Sequence, residues 1–301
     1  MKDVYTLEDL LNNGTDTGDG DPRPIALAVI GNPIAHSLSP QMHQAVLDAE
    51  ERPLRYVRLL SGLGEGDFGR LLQQLMKQQF IGANVTVPFK KQACLACEEL
   101  DELARLSGSV NTLVRRRDRW LGCNTDGPGF SRAVAEFTGR PLAEQRVLIL
   151  GACGGAGSAL ACQCALEHCP GLTLVNRPKP ELPALREQLL SAGGAQAHCC
   201  CFSDDELPKR LEEADLIVNA TSLGLRDGDP LPLNPDLLHP GQSLCDIVPH
   251  DTPLRQAAAA RGCRTADGLG MLLWQGALAY QHWFGNLPDI KIMRHAINAK
   301  A

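Results

Sequence analysis

The chain has 301 residues, of which 44% are hydrophobic and 21% charged, and its formal net charge is −6 at pH 7. This length suffices for two domains with a core each. An acidic chain without a long basic run argues against nucleic acid as the main partner. No apolar stretch approaches the ~20 residues of a membrane span. The N-terminus lacks the apolar core of a signal peptide.

The cysteines point to a cytoplasmic, reduced protein. All twelve are scattered, mostly among apolar neighbours, as small core residues are. Cys94 and Cys97 have CxxC spacing, but no second pair lies at zinc-ligand distance and no His is adjacent. The "HCCC" run at 198–201 also has no partner set. The sequence therefore predicts no metal site.

In chain order, residues 1–21 read as a short amphipathic segment followed by a Gly/Asp-rich tether. "PIALAVIGNPIAHSLSPQMHQAVLDA" then predicts a strand, a loop and a helix, with Ser39 as a capping hydroxyl before Pro40. "LRYVRLL", "FGRLLQQLMKQQ", "GANVTVPFK" and "KQACLACEELDELARLSG" predict a strand, a helix, a strand and a helix. This β-α alternation favours a mostly parallel sheet with helices on its faces.

The stretch "SVNTLVRRRDRWLGCNTDG" predicts a hairpin-like strand pair, with Arg115 to Arg117 solvated at its end. A second alternation begins at "RVLILGACGGAGSALACQCALE" and continues through the strands "LTLVNR", "DLIVNATS" and "SLCDIV". The tail, "LGMLLWQGALAYQHWFG" and "IKIMRHAINA", predicts two helices. The predicted fold class is therefore α/β with two domains.

A glycine turn in "RVLILGACGGAGSALA" lies between a strand and a helix start, the context that a dinucleotide fingerprint requires. Glycines let the backbone approach a pyrophosphate, which the helix N-terminus stabilises. The G-x-G-x-x-G pattern is imperfect. If the pattern ends at Gly157, its first glycine position is occupied by Ala152. If it starts at Gly151, its second glycine position is occupied by Cys153. We therefore expect a loop one residue longer than usual. The predicted cofactor-binding residues here are Gly151, Gly154, Gly155, Ala156 and Gly157.

The end of the next strand bears on the choice of cofactor. NAD-binding domains usually have an acid there for the ribose hydroxyls. This chain has Asn176, Arg177 and Lys179, and cations suit a 2′-phosphate, so the charges favour NADP. The alternative is that Arg177 is a surface cation beside a turn. Thr221 and Ser222 of "NATSLG" follow a later strand, where open α/β sheets bind ligands.

With these pieces in place, the sequence resembles the shikimate dehydrogenase family. The motifs are "GNPIAHSLSPQMH", "GANVTVPFK", "SVNTL", "GCNTDGPGF", "NATSLG" and "DGLGMLLWQGA", in the family's order from about residue 25 to about residue 285. The resemblance implies an enzyme that reduces 3-dehydroshikimate to shikimate with a nicotinamide cofactor. It implies an N-terminal extension at 1–21, a substrate-binding domain at 22–126 plus 267–301, and a Rossmann-type dinucleotide-binding domain at 127–266.

The resemblance also assigns the site. Lys90 matches the family's catalytic lysine, and Asp126 its partner aspartate. Hydride transfer at the substrate C3 requires a proton moved on or off the C3 oxygen, which a lysine can supply. Ser37 and Ser39 match groups that bind the substrate carboxylate. The residues that match the family's hydrogen-bonding contacts to the ring hydroxyls are Asn84, Thr86, Asn111 and Gln275. Gly268 and Met271 match positions facing the nicotinamide.

The chain departs from the family pattern in two places. Pro249 and His250 stand where the family often carries a tyrosine, and His250 is a candidate replacement. Pro178 follows "NR" in place of the usual threonine, which leaves use of both NAD and NADP open. The alternative functions are a quinate/shikimate or aminoshikimate dehydrogenase, and a non-catalytic dinucleotide-binding regulator. We expect a small-molecule substrate, no nucleic-acid or membrane partner, and a monomer or homodimer.

Overall fold

A computed structural model describes residues 2–13, 20–193 and 196–299. Contacts divide the chain into two compact units. The first unit comprises Met1–Thr125 and Gly276–Ala301, and the second comprises Asp126–Gln275. The domain boundaries given above, at residues 126 and 266, follow the family and stay a prediction. Residues 14–19, which include most of the predicted Gly/Asp-rich tether, lie outside the described ranges.

The first unit is built around a mixed sheet of seven strands. Its elements are β1 (Tyr5–Thr6), α1 (Leu7–Asn13), β2 (Ile25–Gly31), α2 (Ser39–Ala49), β3 (Arg55–Leu60), α3 (Asp67–Lys77), β4 (Gly82–Val85), α4 (Lys90–Ala96), β5 (Glu99–Leu100), α5 (Glu102–Ser107), β6 (Thr112–Arg116) and β7 (Arg119–Cys123). The sheet order is β1-β3-β2-β4-β6-β7-β5, with β1, β3, β2 and β4 parallel. The predicted strand pair is the antiparallel β6–β7 hairpin.

Hydrophobic periodicity explains the long elements of this unit. Strand β2 is buried along its whole length, as expected for a central parallel strand. Helix α3 buries one face through side chains at helical spacing, Phe68, Leu71, Leu72 and Leu75. At the tip of the hairpin, Arg116 and Arg117 are exposed and Arg115 is half-buried, so the interpretation of the arginine triplet as a strand end is confirmed.

Two local predictions were wrong. The single helix predicted for "KQACLACEELDELARLSG" is interrupted, because Cys97 is extended and Asp101 starts a new helix by accepting a hydrogen bond from the Ala104 N–H at 2.6 Å. Ser39 is the first residue of α2 and makes no capping hydrogen bond; Leu38 occupies the N-cap. The predicted amphipathic N-terminal segment forms β1 and α1, with β1 paired to β3 and Leu10 fully buried.

The second unit is built around six parallel strands. The remaining elements are α6 (Asp126–Thr138), β8 (Arg146–Leu150), α7 (Gly155–Leu166), β9 (Gly171–Asn176), α8 (Glu181–Ser191), β10 (Ala197–Cys201), α9 (Leu207–Glu213), β11 (Leu216–Asn219), β12 (Ser243–Asp246), α10 (Pro253–Ala260), β13 (Arg264–Ala266), α11 (Leu269–Phe284) and α12 (Ile290–Asn298). The unit boundary falls within α11, and α12 belongs to the first unit.

The strand order of the second unit, β10-β9-β8-β11-β12-β13, is the dinucleotide-binding order 3-2-1-4-5-6 when its strands are counted from β8. The α/β prediction is therefore confirmed. Strands β10 and β13 were not predicted; β10 contains the "HCCC" run, whose residues lack the usual strand-forming types. All twelve cysteines are free thiols and seven are buried, which confirms the expectation that most are core residues.

Candidate active site

The order of strands in the second unit reverses between β8 and β11, and ligands of open α/β sheets bind at the carboxyl ends of strands at such a point. The loops that follow these two strands touch. A Cβ atom at Gly151 would lie 3.0 Å from the carbonyl carbon and oxygen of Ala220. The glycine turn and the "NATSLG" segment, predicted separately, are thus brought together here.

Glycines at three-residue intervals build the turn after β8. Gly151 has φ +81°, a conformation that other residues rarely adopt. Gly154 is the N-cap of α7, and its N–H donates to the Gly151 carbonyl at 3.0 Å. A Cβ at Gly157 would lie 2.3 Å from the same carbonyl oxygen. Gly151, Gly154 and Gly157 thus form a backbone cradle before a helix N-terminus that fits a dinucleotide pyrophosphate.

Gly155 and Ala156 form the first turn of α7, at the positive end of the helix dipole. At the end of the neighbouring β9, Asn176 is buried and its Nδ2 donates to the Arg177 carbonyl at 3.0 Å. Arg177 and Lys179 follow as exposed side chains. This edge is where the sequence predicts the 2′-phosphate, and both cations lie open to solvent beside it.

A buried polar network holds the loop after β11 in place, and no sequence motif predicted it. Asp246, at the end of β12, is fully buried and accepts hydrogen bonds from Asn219 Nδ2 at 3.1 Å and Thr252 Oγ1 at 2.8 Å. Oδ1 of Asn219 in turn accepts hydrogen bonds from the N–H of Thr221 at 3.1 Å and from its hydroxyl at 2.7 Å. Thr221 is therefore fixed, whereas Ser222 next to it is exposed.

The loop at Pro249 and His250 contacts this same segment. His250 is exposed, and its Nε2 lies 2.9 Å from the Gly224 carbonyl oxygen. Gly268 packs against the neighbouring backbone, since a Cβ there would lie 2.0 Å from the carbonyl oxygen of Ile247. Met271 is buried in the first turn of α11. Gly268 thus lies beside the backbone that continues from β12.

Asp126 and Gln275 are buried on two helices of the second unit that pack closely. Asp126 begins α6, and Gly129 follows one turn later. A Cβ at Gly129 would lie 2.6 Å from the backbone nitrogen of Gln275, so only glycine permits this approach. Gln275 Nε2 donates to the Leu272 carbonyl at 2.8 Å. The motifs "GCNTDGPGF" and "DGLGMLLWQGA" meet at this contact.

In the first unit, the ends of the adjacent strands β2 and β4 bring several predicted residues together. Thr86 follows β4, and its N–H donates to the Ile30 carbonyl at 2.9 Å. A Cβ at Gly31 would lie 2.5 Å from Cγ2 of Thr86, so this glycine makes room for the threonine side chain. Ser37 is half-buried, and its carbonyl accepts a hydrogen bond from Arg58 Nη2 at 2.7 Å. Nothing in the sequence marked Arg58.

Tyr56 organises the buried polar side chains below these loops. Its hydroxyl donates to Asn84 Oδ1 at 2.7 Å, and it also contacts the side chain of Ser39. Asn84 Nδ2 donates to the Asn111 carbonyl at 3.3 Å and to Thr112 Oγ1 at 3.2 Å. The Asn84 amide is therefore satisfied within the protein, and a ligand would meet the remaining lone pair of its Oδ1.

Lys90 and Lys91 have different surroundings. Lys90 is the first residue of α4 and is half-buried, whereas Lys91 is exposed. The carbonyl of Lys90 accepts a hydrogen bond from the Val110 N–H at 3.0 Å. Phe89, the N-cap before it, is buried and stacks on Phe68 with ring centroids 5.1 Å apart. Packing on both sides thus fixes the backbone position from which the Lys90 side chain extends.

Family models match both ends of the chain. The shikimate dehydrogenase substrate binding domain matches residues 29–113, and the shikimate 5'-dehydrogenase C-terminal domain matches residues 268–297. In the described ranges no helix has the length and apolar character needed to cross a membrane.

Comparisons of the whole chain with known proteins point to the same family as these two domain matches. The chain is 38% identical to shikimate dehydrogenase (NADP(+)) of Rubrobacter xylanophilus, over 94% of this chain and 98% of that protein. It is 34% identical, with a TM-score of 0.79, to Thermus thermophilus shikimate 5-dehydrogenase in complex with NADP(H) and shikimate, covering 91% and 99% of the two chains. For quinate dehydrogenase of Corynebacterium glutamicum in complex with NAD, the identity is 29%, the TM-score 0.80 and the coverage 91% and 99%. The chain belongs to the shikimate dehydrogenase family.

Proposed function

We propose that this chain catalyses the reversible, NADP-dependent reduction of 3-dehydroshikimate to shikimate, a step of aromatic amino acid biosynthesis. The observation that carries the proposal is the dinucleotide cradle of Gly151, Gly154 and Gly157 at the switch point of a 3-2-1-4-5-6 sheet. It occurs in a chain whose relative in Rubrobacter xylanophilus is named shikimate dehydrogenase (NADP(+)) and matches over 98% of its length.

The roles of the reacting groups follow from their chemistry. Bound NADPH supplies a hydride to the C3 carbonyl carbon of the substrate. Lys90 donates a proton to the C3 oxygen, which becomes the hydroxyl of shikimate, and takes it back in the reverse direction. Asp126 is the partner carboxylate that the family resemblance pairs with this lysine. The half-burial of Lys90, compared with the exposure of Lys91, supports this choice of lysine.

The binding roles divide by ligand group. Ser37 and Ser39 bind the substrate carboxylate with hydroxyl groups at the start of α2. The ring hydroxyls are read by polar side chains, namely Asn84, Thr86, Asn111 and Gln275. Asn84 and Asn111 are each held by protein hydrogen bonds, so their side chains are fixed in place before the substrate binds.

The cofactor-binding residues can likewise be grouped by the part of the cofactor that each contacts. The N–H groups of Gly155 and Ala156, at the start of α7, stabilise the pyrophosphate. Arg177 binds the 2′-phosphate of NADP with Lys179 as a second, less directional cation. Asn176 shapes the adenosine side of the site. Thr221, Ser222, Gly268 and Met271 border the nicotinamide.

The second candidate function is oxidation of quinate with NAD. The quinate dehydrogenase of Corynebacterium glutamicum, in complex with NAD, has a TM-score of 0.80 with this chain. The exposed Lys179 after Pro178 also provides a weaker phosphate site than two arginines would. Initial rates with shikimate and quinate, each with NADP and NAD, separate the two functions by the absorbance of the reduced nicotinamide. Turnover of shikimate with a preference for NADP supports the proposal.

Faster turnover of quinate, or of either acid with NAD, would overturn the substrate or cofactor assignment within the family. Absence of turnover with every combination, together with binding of NADP, would support a regulator without catalysis. The cytoplasmic location, the lack of a nucleic-acid partner and the monomeric or homodimeric state stay predictions. Sedimentation of the purified protein tests the last of these.

A further inference from the structure

Three potential metal ligands from distant parts of the chain meet in the first unit. They are a carboxylate oxygen of Asp101, Sγ of Cys123 and a ring nitrogen of His282, and all lie within 4.8 Å of one another. Asp101 precedes α5, Cys123 ends β7, and His282 lies in the last turn of α11. No sequence motif joins them, since Cys123 and His282 are 159 residues apart.

The spacing of these atoms suits a tetrahedral cation. Sγ of Cys123 and Nδ1 of His282 are 3.9 Å apart. Zn–S and Zn–N bonds of about 2.3 and 2.0–2.1 Å at a tetrahedral angle place the two ligand atoms roughly 3.5 Å apart. A closure of a few tenths of an ångström, within reach of side-chain rotation, would bring them to that distance. As a thiol–imidazole hydrogen bond, by contrast, the observed contact is long and weak.

The carboxylate is held in place by hydrogen bonds to the backbone. Asp101 Oδ1 accepts from the Ala104 N–H at 2.6 Å, and its Oδ2 accepts from the Asn124 N–H at 3.0 Å. Hydrogen bonds of this kind orient the ligands of metal sites and leave further lone pairs for the ion. Burial and the neighbouring Asp101 raise the pKa of the Cys123 thiol to about 12. An ion that binds Sγ must therefore displace the thiol proton.

A metal site also requires that the ion can reach its ligands from solvent. Cys123 is fully buried, but His282 is exposed, so an ion can enter from solvent and keep water in its fourth position. A further thiol lies close by, because Sγ of Cys97 is 2.8 Å from the point where a Cβ of Gly122 would be. Cys97 thus borders the cluster but is not one of its three ligands.

We propose that Asp101, Cys123 and His282 form a binding site for Zn²⁺ or a similar thiophilic divalent cation. Binding forms a bond from the metal to Sγ and releases the thiol proton to solvent. The ion would hold the chain directly before Asn124, Thr125 and Asp126, so its occupancy is expected to stabilise this segment.

Cobalt tests the site directly, because Co²⁺ replaces Zn²⁺ and its bond to a thiolate gives a charge-transfer absorption. The full-length protein is titrated with Co²⁺ and then with Zn²⁺, which should displace it. We expect one equivalent of Co²⁺ to produce the thiolate band. Excess Zn²⁺ should also raise the Tm of the protein, on the order of 5 °C at a hundredfold excess over Kd.

Matched variants locate the ion. His282→Gln and Cys123→Ser should each remove the thiolate band. Two control variants should keep it: His295→Gln changes an exposed histidine of α12, and Cys263→Ser changes another buried thiol. His282→Gln alters an exposed side chain, so it remains informative if Cys123→Ser fails to fold. Absence of a band in the unmodified protein, or its survival in His282→Gln, would overturn the proposal. Its loss only in Cys200→Ser would assign the ion to Cys200, Asp204 and Glu206 and would equally overturn it.

Discussion

Oδ1 of Asn111 accepts hydrogen bonds from the backbone N–H of Thr125 at 2.8 Å and from its hydroxyl at 3.2 Å. Both residues are almost completely buried. Thr125 directly precedes Asp126, so the side chain of Asn111 fixes the backbone from which the proposed partner carboxylate extends. Asn111 therefore has a structural function in addition to its proposed contact with the substrate.

Asn111→Ala should lower the free energy of unfolding by about 1–3 kcal/mol, because it leaves the buried Thr125 N–H without this partner. It should also reduce kcat, since Asp126 loses its support. Urea denaturation and initial rates measure the two effects. Asn286→Ala changes an exposed asparagine and should stay within about 0.5 kcal/mol of the parent protein. Equal stability of the two variants would contradict the assigned role.

Lys90→Met should reduce kcat by roughly 10²–10⁴-fold, the usual contribution of a general acid–base residue. The affinity for NADP should change little, because Lys90 lies in the unit that lacks the cradle. Lys91→Met is the matched control, since Lys91 is the exposed neighbour on the same helix. Rates of shikimate oxidation measure both variants. A similar loss in both would show that the positive charge, and not the position of Lys90, matters.

Arg177→Gln should raise the KM for NADP by roughly 10–100-fold, because a charge-assisted hydrogen bond contributes about 1.5–3 kcal/mol. The KM for NAD should stay the same, since NAD has no 2′-phosphate. Lys179→Gln should have a smaller effect, because an ammonium group is less directional than a guanidinium group. An unchanged KM for NADP in Arg177→Gln would support the alternative that Arg177 is only a surface cation.

Gly157→Ala should destabilise the turn after β8 and weaken NADP binding, because the new Cβ would lie 2.3 Å from the Gly151 carbonyl oxygen. Backbone shifts of this kind typically cost about 1–3 kcal/mol. Gly69→Ala, in helix α3, is the control: a Cβ there has no heavy atom within 4 Å, so alanine should stabilise the protein by roughly 0.5–1 kcal/mol. Thermal unfolding with and without NADP distinguishes the variants, and tight binding by Gly157→Ala would contradict the cradle.

His43 should make the stability depend on pH in the acid range. Its ring is fully buried and stacks on Tyr56 with centroids 4.5 Å apart, and burial lowers its pKa to about 3, offset only in part by Asn84. The unfolded chain binds a proton at His43 below pH ~6.5, whereas the folded chain stays neutral. Stability should therefore fall as the pH decreases from ~6.5 towards ~3, by up to about 1.4 kcal/mol per unit.

His43→Phe keeps an aromatic ring in this stack and removes the titrating group. Urea unfolding at a series of pH values should give a shallower acid-side slope for His43→Phe than for the parent protein. His295→Gln changes an exposed histidine and should leave the slope unchanged. Identical slopes in the parent protein and in His43→Phe would exclude this origin of the pH dependence.

Most of the fold could be predicted because its information is local. The buried run of β2, the amphipathic face of α3 and the glycine turn before α7 each depend on residues within one or two turns of chain. Strands β10 and β13 escaped prediction, since "AHCCC" and "RTA" lack a strand pattern and are extended by pairing with β9 and β12. The break between α4 and α5 likewise depends on pairing of β5 with β7.

The sequence by itself determined the family and the α/β class, because these depend on short motifs in order. Only the tertiary structure decided which side chains hold the predicted site residues in place. Tyr56 reaches Asn84, and Asp246 reaches Asn219, across 28 and 27 residues of chain. Such pairs meet because parallel strands bring the ends of distant segments to one edge of a sheet. A buried polar group there needs a partner from a neighbouring strand, which no local pattern specifies.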